Sequence, residues 1–327
     1  MEALLTHPIR RLDPDTASRI AAGEVIDRPL SALKEIVENA LDAGARVIEV
    51  RVEQSLDQRF SVADDGSGIA PDEMKLALER HATSKLHQFE DLDRLDTLGF
   101  RGEALPSIAA VSRLTLTSRA RGHESARRLQ LEGGALSASS EVARATGTTV
   151  EVEALFFNTP ARRKFLNTAA GELRAAMRML EAYALAFPEV ALRLLVDGRE
   201  RSDWPAAAGH RERVAAVWGA AHAAQMLDAE GERDGIRVEA LLGLPEHARA
   251  TRDGQVLLIN RRWVQSPLIA QALRQAYGNL LPAGRFPAAV VWLSVPPERL
   301  DVNVHPTKRE VRFATEDSIF SLVAGVG

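Results

Sequence analysis

Four polar residues, Glu35, Glu38, Asn39 and Asp42, fall at i, i+3, i+4 and i+7 and so share one helical stripe. Outside that stripe the helix is largely apolar, with Leu33, Ile36, Val37, Ala40 and Leu41. Carboxylate and amide oxygens in a row suit a water, a proton or a hard cation. Asparagine is a mediocre helix former, so its place beside a core asks for a reason. Read alone, the stripe is equally the solvated face of an amphipathic helix.

A second segment, DDGSGI at 64–69, follows twenty residues later. The run Phe60, Ser61, Val62, Ala63 alternates like a strand and ends on Asp64. Gly66 and Gly68 let the backbone turn sharply and approach a ligand. A carboxylate at that strand end can accept a hydrogen bond from an exocyclic amine. An Asp-Gly turn closing a strand is the ordinary alternative. In this order and spacing the two segments say more than either does alone.

The elements that must position them alternate between helix and strand. Helices are expected at 30–42, 72–82 (Pro71 in its first turn), 103–109 and 172–187. Strands are expected at 47–52, 60–63, 113–118, 126–132, 148–153 and 190–196, which make a mixed, largely antiparallel sheet. Residues 86–97 carry charge without periodicity and read as a loop or lid. Composition shifts at 199–211 with Pro205, an alanine run and Gly209, and the domain boundary is placed there. Beyond it come helices at 213–221 and 267–277, strands at 236–243, 255–260 and 288–295, and a helix beginning near 316. The fold class is α+β, with domains at 1–205 and 206–327.

Length allows two full cores. A hydrophobic content of 46% with 26% charged residues is that of a soluble globular chain. The net charge of −4 means that any nucleic-acid contact must come from a local basic patch. With no cysteine, disulfides, thiol catalysis and the usual zinc frameworks are excluded. No apolar run of spanning length and no leader pattern is found, so a cytoplasmic protein away from the membrane is expected. There is no GxxxxGK[ST] phosphate loop, and Pro71 stands where a dinucleotide fingerprint needs its third glycine.

ENALDAGA (38–45) and DDGSGI resemble the first two motifs of the GHKL ATPases, the class of gyrase, heat-shock chaperones, histidine kinases and MutL. TLGFRGEALPSI (97–108) and GTTVEVEALFFNTPARRKFL (147–166) are similar to the third and fourth. LFFNTPARRKFL is close to a signature of the MutL branch. IAAGEVIDRP (20–29), RHATSK (80–85) and DVNVHPTKREVRF (301–313) add matches, so the resemblance runs over nearly the whole chain. It implies a GHKL-type sandwich, a mixed sheet covered by helices, followed by a smaller α/β module like that of gyrase. A C-terminal dimerisation domain, with any endonuclease, is expected to lie outside this chain.

The resemblance also implies roles. Glu35 becomes the general base, Asn39 a magnesium ligand, and Asp64 the acceptor of the adenine amino group, supported by the hydroxyl of Thr148. Gly68 belongs to the adenine-side turn. Thr83, Ser84 and Lys85 close one side of the phosphates, and Gly99, Phe100, Arg101 and Gly102 form the lid backbone around them. Lys308 becomes the γ-phosphate contact from the second domain, and His305 a positioning residue beside it. Asp65, where relatives more often have asparagine, is expected to face outward. Arg162, Arg163, Lys164, Arg261 and Arg262 become DNA phosphate contacts, although Gln265, Ser266 and Pro267 replace the basic residues expected after the last pair.

The implied activity is slow ATP hydrolysis with magnesium. Lid closure and homodimerisation on ATP would then couple mismatch recognition by a MutS-family partner to DNA and later repair factors, in a bacterial cytoplasm and at the nucleoid. Two alternatives stand beside it. A type II topoisomerase ATPase fragment is disfavoured by NTPARRKFL, and a non-hydrolysing nucleotide-dependent binding module is disfavoured by Glu35.

Overall fold

The computed structural model describes residues 10–85, 97–99, 102–301 and 311–325. Phe100, Arg101, His305, Lys308, residues 86–96 of the expected lid and the first nine residues lie outside them.

Two large sheets organise the described residues, beside a short antiparallel ladder of Leu300–Asp301 with Arg312–Phe313. The first, of eight strands, is built from β1 (Val47–Glu53), β2 (Arg59–Asp64), β3 (Arg113–Arg119), β4 (Ala126–Glu132), β5 (Ala135–Val142), β6 (Gly147–Glu153), β7 (Ala191–Val196) and β8 (Arg199–Trp204). Their order is β5-β4-β3-β6-β2-β1-β7-β8, antiparallel except for β1 beside β7. Helices α1 (Pro14–Val25), α2 (Pro29–Asp42), α3 (Ala104–Ala110), α4 (Pro160–Arg163) and α5 (Ala169–Ala186) belong to this half. One core joins them: Leu33, Ile36 and Val37 of α2 meet Ile48, Val50, Phe60 and Val62 of the sheet, with Leu180 and Tyr183 of α5.

The second half has α6 (His210–Trp218), α7 (Ala220–Ala224), β9 (Leu227–Arg233), β10 (Ile236–Leu242), β11 (Gln255–Ile259), β12 (Arg262–Val264), α8 (Pro267–Tyr277), β13 (Ala289–Ser294) and α9 (Glu316–Gly325). Its five strands run in the order β12-β11-β13-β10-β9, with β11 parallel to β13. A second core lies between this sheet and α8 and α9. A third, made of Leu185 and Ala186 of α5 with Val214, Leu241, Leu258 and Val290, joins the halves. We propose that the domain division falls at 205–209, between β8 and α6.

Several sequence expectations need correction. The helix expected at 72–82 is a series of turns with one 3-10 turn, Leu76–Leu78. Of residues 71–80 only Met74 is buried, so no apolar stripe stabilises a helix there. Residues 199–204, expected in the boundary, form strand β8. The helix expected at 213–221 breaks at Gly219, whose φ is +94°. Strands β5 and β9 were not foreseen, because exposed edge strands carry little inward-facing alternation.

Candidate nucleotide site

Helix α2 starts on Pro29, which fits the first turn of a helix because its missing N–H has no partner there. Its N-terminus is capped from a distance. Buried Glu172 of α5 accepts from the Leu30 N–H at 3.2 Å and pairs with Arg28 at 2.7 Å. The apolar positions bury themselves against the sheet, and this aims the polar stripe.

The stripe divides. Glu38 is buried, lies 2.9 Å from the Lys34 ammonium and accepts from the Tyr183 hydroxyl at 2.7 Å. Glu35 stays part-exposed, 3.5 Å from the same ammonium. Burial works to lower the pKa of Lys34, but Glu38 and Glu35 outweigh it and raise the value, so the ammonium stays charged. The Tyr183 hydroxyl is pushed well up, by burial first and then by Glu38, so it stays protonated and donates.

Further along α2, Asn39 and Asp42 meet Lys85. The Lys85 ammonium donates to Asn39 Oδ1 at 2.9 Å and to Asp42 Oδ2 at 2.5 Å. Asp42 also accepts the N–H groups of Leu98 at 2.8 Å and Gly99 at 3.0 Å. A Cβ added to Gly99 would stand 3.3 Å from the Lys85 nitrogen and 3.7 Å from Asn39 Oδ1, so this backbone lies against the cluster. Thr83 Oγ1 accepts the Lys85 N–H at 3.1 Å, closing the turn that aims the lysine, and Ser84 is exposed. Gly102 packs on the same turn with φ +62°, and a Cβ there would come within 2.3 Å of the Ala82 carbonyl oxygen.

At the end of β2, Asp64 Oδ1 accepts from Gly66 N–H at 2.9 Å and from Thr148 N–H at 3.2 Å. Its Oδ2 accepts no hydrogen bond from the described residues. Burial raises the pKa of this carboxyl, opposed by the two N–H groups and Arg144. Thr148 thus supports Asp64 through its backbone N–H, while its hydroxyl lies 2.9 Å from Ser118 Oγ. Ser118, absent from the sequence expectations, also accepts from Ile69 N–H at 2.8 Å. Gly68 has φ +69°, and a Cβ there would lie 2.1 Å from the Arg119 carbonyl oxygen, so only glycine fits. Asp65 is exposed and accepts from the Arg46 and Val47 N–H groups, facing outward as expected.

The basic clusters separate. Arg163 and Lys164 are exposed, whereas Arg162 turns inward, donates to the Ile26 carbonyl at 2.9 Å and lies over Phe156. Arg261 pairs with Glu189 at 2.6 Å over the Phe187 ring. Arg262 corrects the expectation of a surface DNA contact. It is 6% exposed and donates to the carbonyl of Leu98 at 3.0 Å and to that of Thr97. Asp42, Lys34 and Tyr183 carried no assigned role in the sequence expectations, and Arg262 carried a different one. Asp42 lay on the helical stripe, which was the one signal available for it.

Residues 28–158 match the family profile described as histidine kinase-, DNA gyrase B-, and HSP90-like ATPase, and residues 214–326 match that of the DNA mismatch repair protein, C-terminal domain. The DNA mismatch repair protein MutL of Acidiphilium cryptum is 51% identical over 97% of this chain and 54% of its own length. The chain spans about half the length of the curated relatives it matches. Among solved structures, the Aquifex aeolicus MutL ATPase domain complexed with ADP has a TM-score of 0.66 at 28% identity, covering 84% of this chain and 94% of that one. The DNA gyrase B-subunit of Myxococcus xanthus, at 16% identity and a TM-score of 0.62 over 95% of this chain and 94% of that one, shares the fold. The fold is that of the GHKL ATPases, and the chain belongs to the MutL family of DNA mismatch repair proteins.

Proposed function

We propose that this chain binds ATP with magnesium and hydrolyses it slowly, as the nucleotide-operated switch of a mismatch-repair protein. The observation that carries the reading is the desolvated Asp64 carboxylate. Two backbone donors fix one of its oxygens beside the Gly66–Gly68 turn, and the other is left to accept an adenine amino group. Gly68 packs on the Arg119 backbone, which holds this turn beside the Asp64 carboxylate.

The residues fit magnesium in a specific way. Among the described residues no group of three or more His, Asp or Glu could hold a metal by itself. A single oxygen from Asn39 suits an ion that keeps waters and takes phosphate oxygens. Lys85 holds that oxygen here, so a cation at Asn39 would displace its ammonium, which keeps its pairing with Asp42 on the same side of the site. When bound, magnesium supplies positive charge to the phosphates.

Glu35 is the group we assign to the water. It takes the proton as the water oxygen bonds to the γ-phosphorus and the bond to the bridging oxygen breaks. Lys34 beside it, 3.5 Å away, helps to hold the carboxylate in place. Lys308, assigned from its motif, contributes the γ-phosphate contact. DNA contact is assigned to Arg163 and Lys164, with Arg261 as a weaker, ion-paired contributor. Coupling to a MutS-family partner, ATP-driven homodimerisation and action in the bacterial cytoplasm complete the proposal. No helix among the described residues is long and apolar enough to cross a membrane.

A steady-state ATPase assay with a parallel binding titration tests it. Glu35→Ala should bind nucleotide and lose about two to four orders of magnitude in turnover. Near-normal hydrolysis by the variant would remove Glu35 as the base, and absence of nucleotide binding by the wild type would remove the function.

A further inference from the structure

We propose that Arg262 is a positioning residue for the nucleotide pocket. It ties the second sheet to the pocket wall at 97–99, so that nucleotide occupancy and the placement of that sheet depend on each other. The inference rests on the nucleotide reading of Asn39 and Lys85, and it assigns to Arg262 a role other than DNA contact.

Three observations converge. The segment 97–99 is gripped from both sides: Asp42 of α2 takes its N–H groups at Leu98 and Gly99, and Arg262 of β12 donates to its carbonyls at Thr97 and Leu98. A guanidinium presents its donors in a rigid planar fork, which suits two neighbouring carbonyls. Burial also makes these contacts costly to lose.

Secondly, the base of the arginine is held rigidly. Asn260 and Arg261, which join β11 to β12, both have positive φ, +46° and +65°. That is the arrangement of a tight two-residue hairpin, unfavourable for arginine unless the surroundings impose it. The Asn260 side chain imposes it with two bonds to one residue, donating to the Val295 carbonyl at 2.7 Å and accepting the Val295 N–H at 2.8 Å. Arg262 therefore leaves a strand whose register is fixed within the second sheet.

Thirdly, other polar links between the halves among the described residues end elsewhere, including an ion pair of Arg178 with Asp253 at 3.8 Å. Arg213 reaches the carbonyls of Pro188, Val190 and Trp204, Arg261 reaches Glu189, and the Trp292 N–H reaches the Leu185 carbonyl. Those contacts join the second half to α5, to the connection at 187–190 that follows it and to the end of β8. Arg262 instead reaches the wall that touches Asn39 and Lys85. A shift of β12 pulls on Thr97 and Leu98, and through Asp42 on the amides beside the phosphate side of the pocket. Two-state coupling needs such a physical link between the elements it joins.

The test compares wild type, R262A and R262K by hydrogen exchange, analogue binding and steady-state kinetics. Without nucleotide, R262A should exchange the Leu98 and Gly99 amides faster while the amides of α5 keep their protection. With a non-hydrolysable ATP analogue and magnesium, wild type should gain protection at 255–264, and R262A at saturating analogue should gain little. Its affinity should fall about ten-fold, the scale of one lost hydrogen bond to a charged group, with KM rising more than kcat falls. R262K, able to serve one carbonyl at a time, should recover part of each effect.

Unchanged exchange at Leu98 and Gly99 in R262A overturns the proposal. So does a lower melting temperature accompanied by wild-type affinity and wild-type protection at 255–264. Should R262A fail to fold, R262K carries the same comparison. If wild type binds no nucleotide, the functional reading fails by itself, while exchange at Leu98 and Gly99 still decides whether the tether exists.

Discussion

The Tyr183 hydroxyl donates to Glu38 Oε1 at 2.7 Å, joining the last turn of α5 to the C-terminal half of α2 across the core. The carboxylate is buried, and its described charged neighbour is the Lys34 ammonium. Removing the donor leaves a buried acceptor short of one bond. Tyr183→Phe should therefore lower stability by about 1.5–3 kcal/mol, the usual range for a hydrogen bond to a charged group. The measurement is urea unfolding followed by circular dichroism, and a midpoint equal to that of wild type at equal slope would refute it.

Asp64 predicts a trade between stability and binding. Its pKa in the folded chain lies above the ordinary 3.8, with burial as the first cause. The folded state thus binds the proton more tightly than the unfolded one, and stability is lost as pH rises from the ordinary value through the raised one. Asp64→Asn keeps an oxygen for the Gly66 and Thr148 N–H groups and removes the charge. Its melting temperature at pH 7 should equal or exceed that of wild type, the difference should vanish in acid, and nucleotide binding should be lost. A variant that melts lower at pH 7, or binds ATP tightly, contradicts the assignment.

Asn39→Ala should weaken analogue binding in the presence of magnesium and have little effect in its absence. The variant loses the oxygen offered to the cation but leaves Lys85 paired to Asp42. Calorimetric titrations with magnesium and with a chelator decide it. Equal affinities of variant and wild type in magnesium would exclude Asn39 as a ligand.

DNA binding should follow the exposed basic residues. Arg163→Glu with Lys164→Glu should weaken binding to random-sequence duplex more than Arg199→Glu with Arg201→Glu, which change the net charge equally. Losing two phosphate contacts should also flatten the dependence of affinity on salt by about two units of log–log slope. If both pairs behave alike, overall charge rather than a site governs the interaction.

Association should depend on nucleotide. The chain is expected to sediment as a monomer alone and as a dimer with a non-hydrolysable ATP analogue and magnesium, with Lys308→Ala weakening the response. Tens of micromolar protein reveals an association of roughly six to seven kcal/mol. A mass that stays monomeric under those conditions rules out the switch for this fragment.

Much of the scaffold was legible because its signals are local. The apolar face of α2, the alternation in β2 and the Pro267 start of α8 follow from short-range periodicity and capping. The motifs also brought Asn39, Lys85 and Gly99 under consideration before any contact was visible, and the structure sets them side by side. Edge strands such as β5 stayed hidden, since exposed residues have no burial pattern to display. Arg262 was misread for a deeper reason. In sequence it is one of two adjacent arginines, the ordinary look of a solvated basic patch. Its true partners, two backbone carbonyls more than 160 residues away, have no side-chain signature at all. Composition and spacing report which groups can donate, whereas only the packing of β12 against the residues beside α2 decides which acceptors they meet.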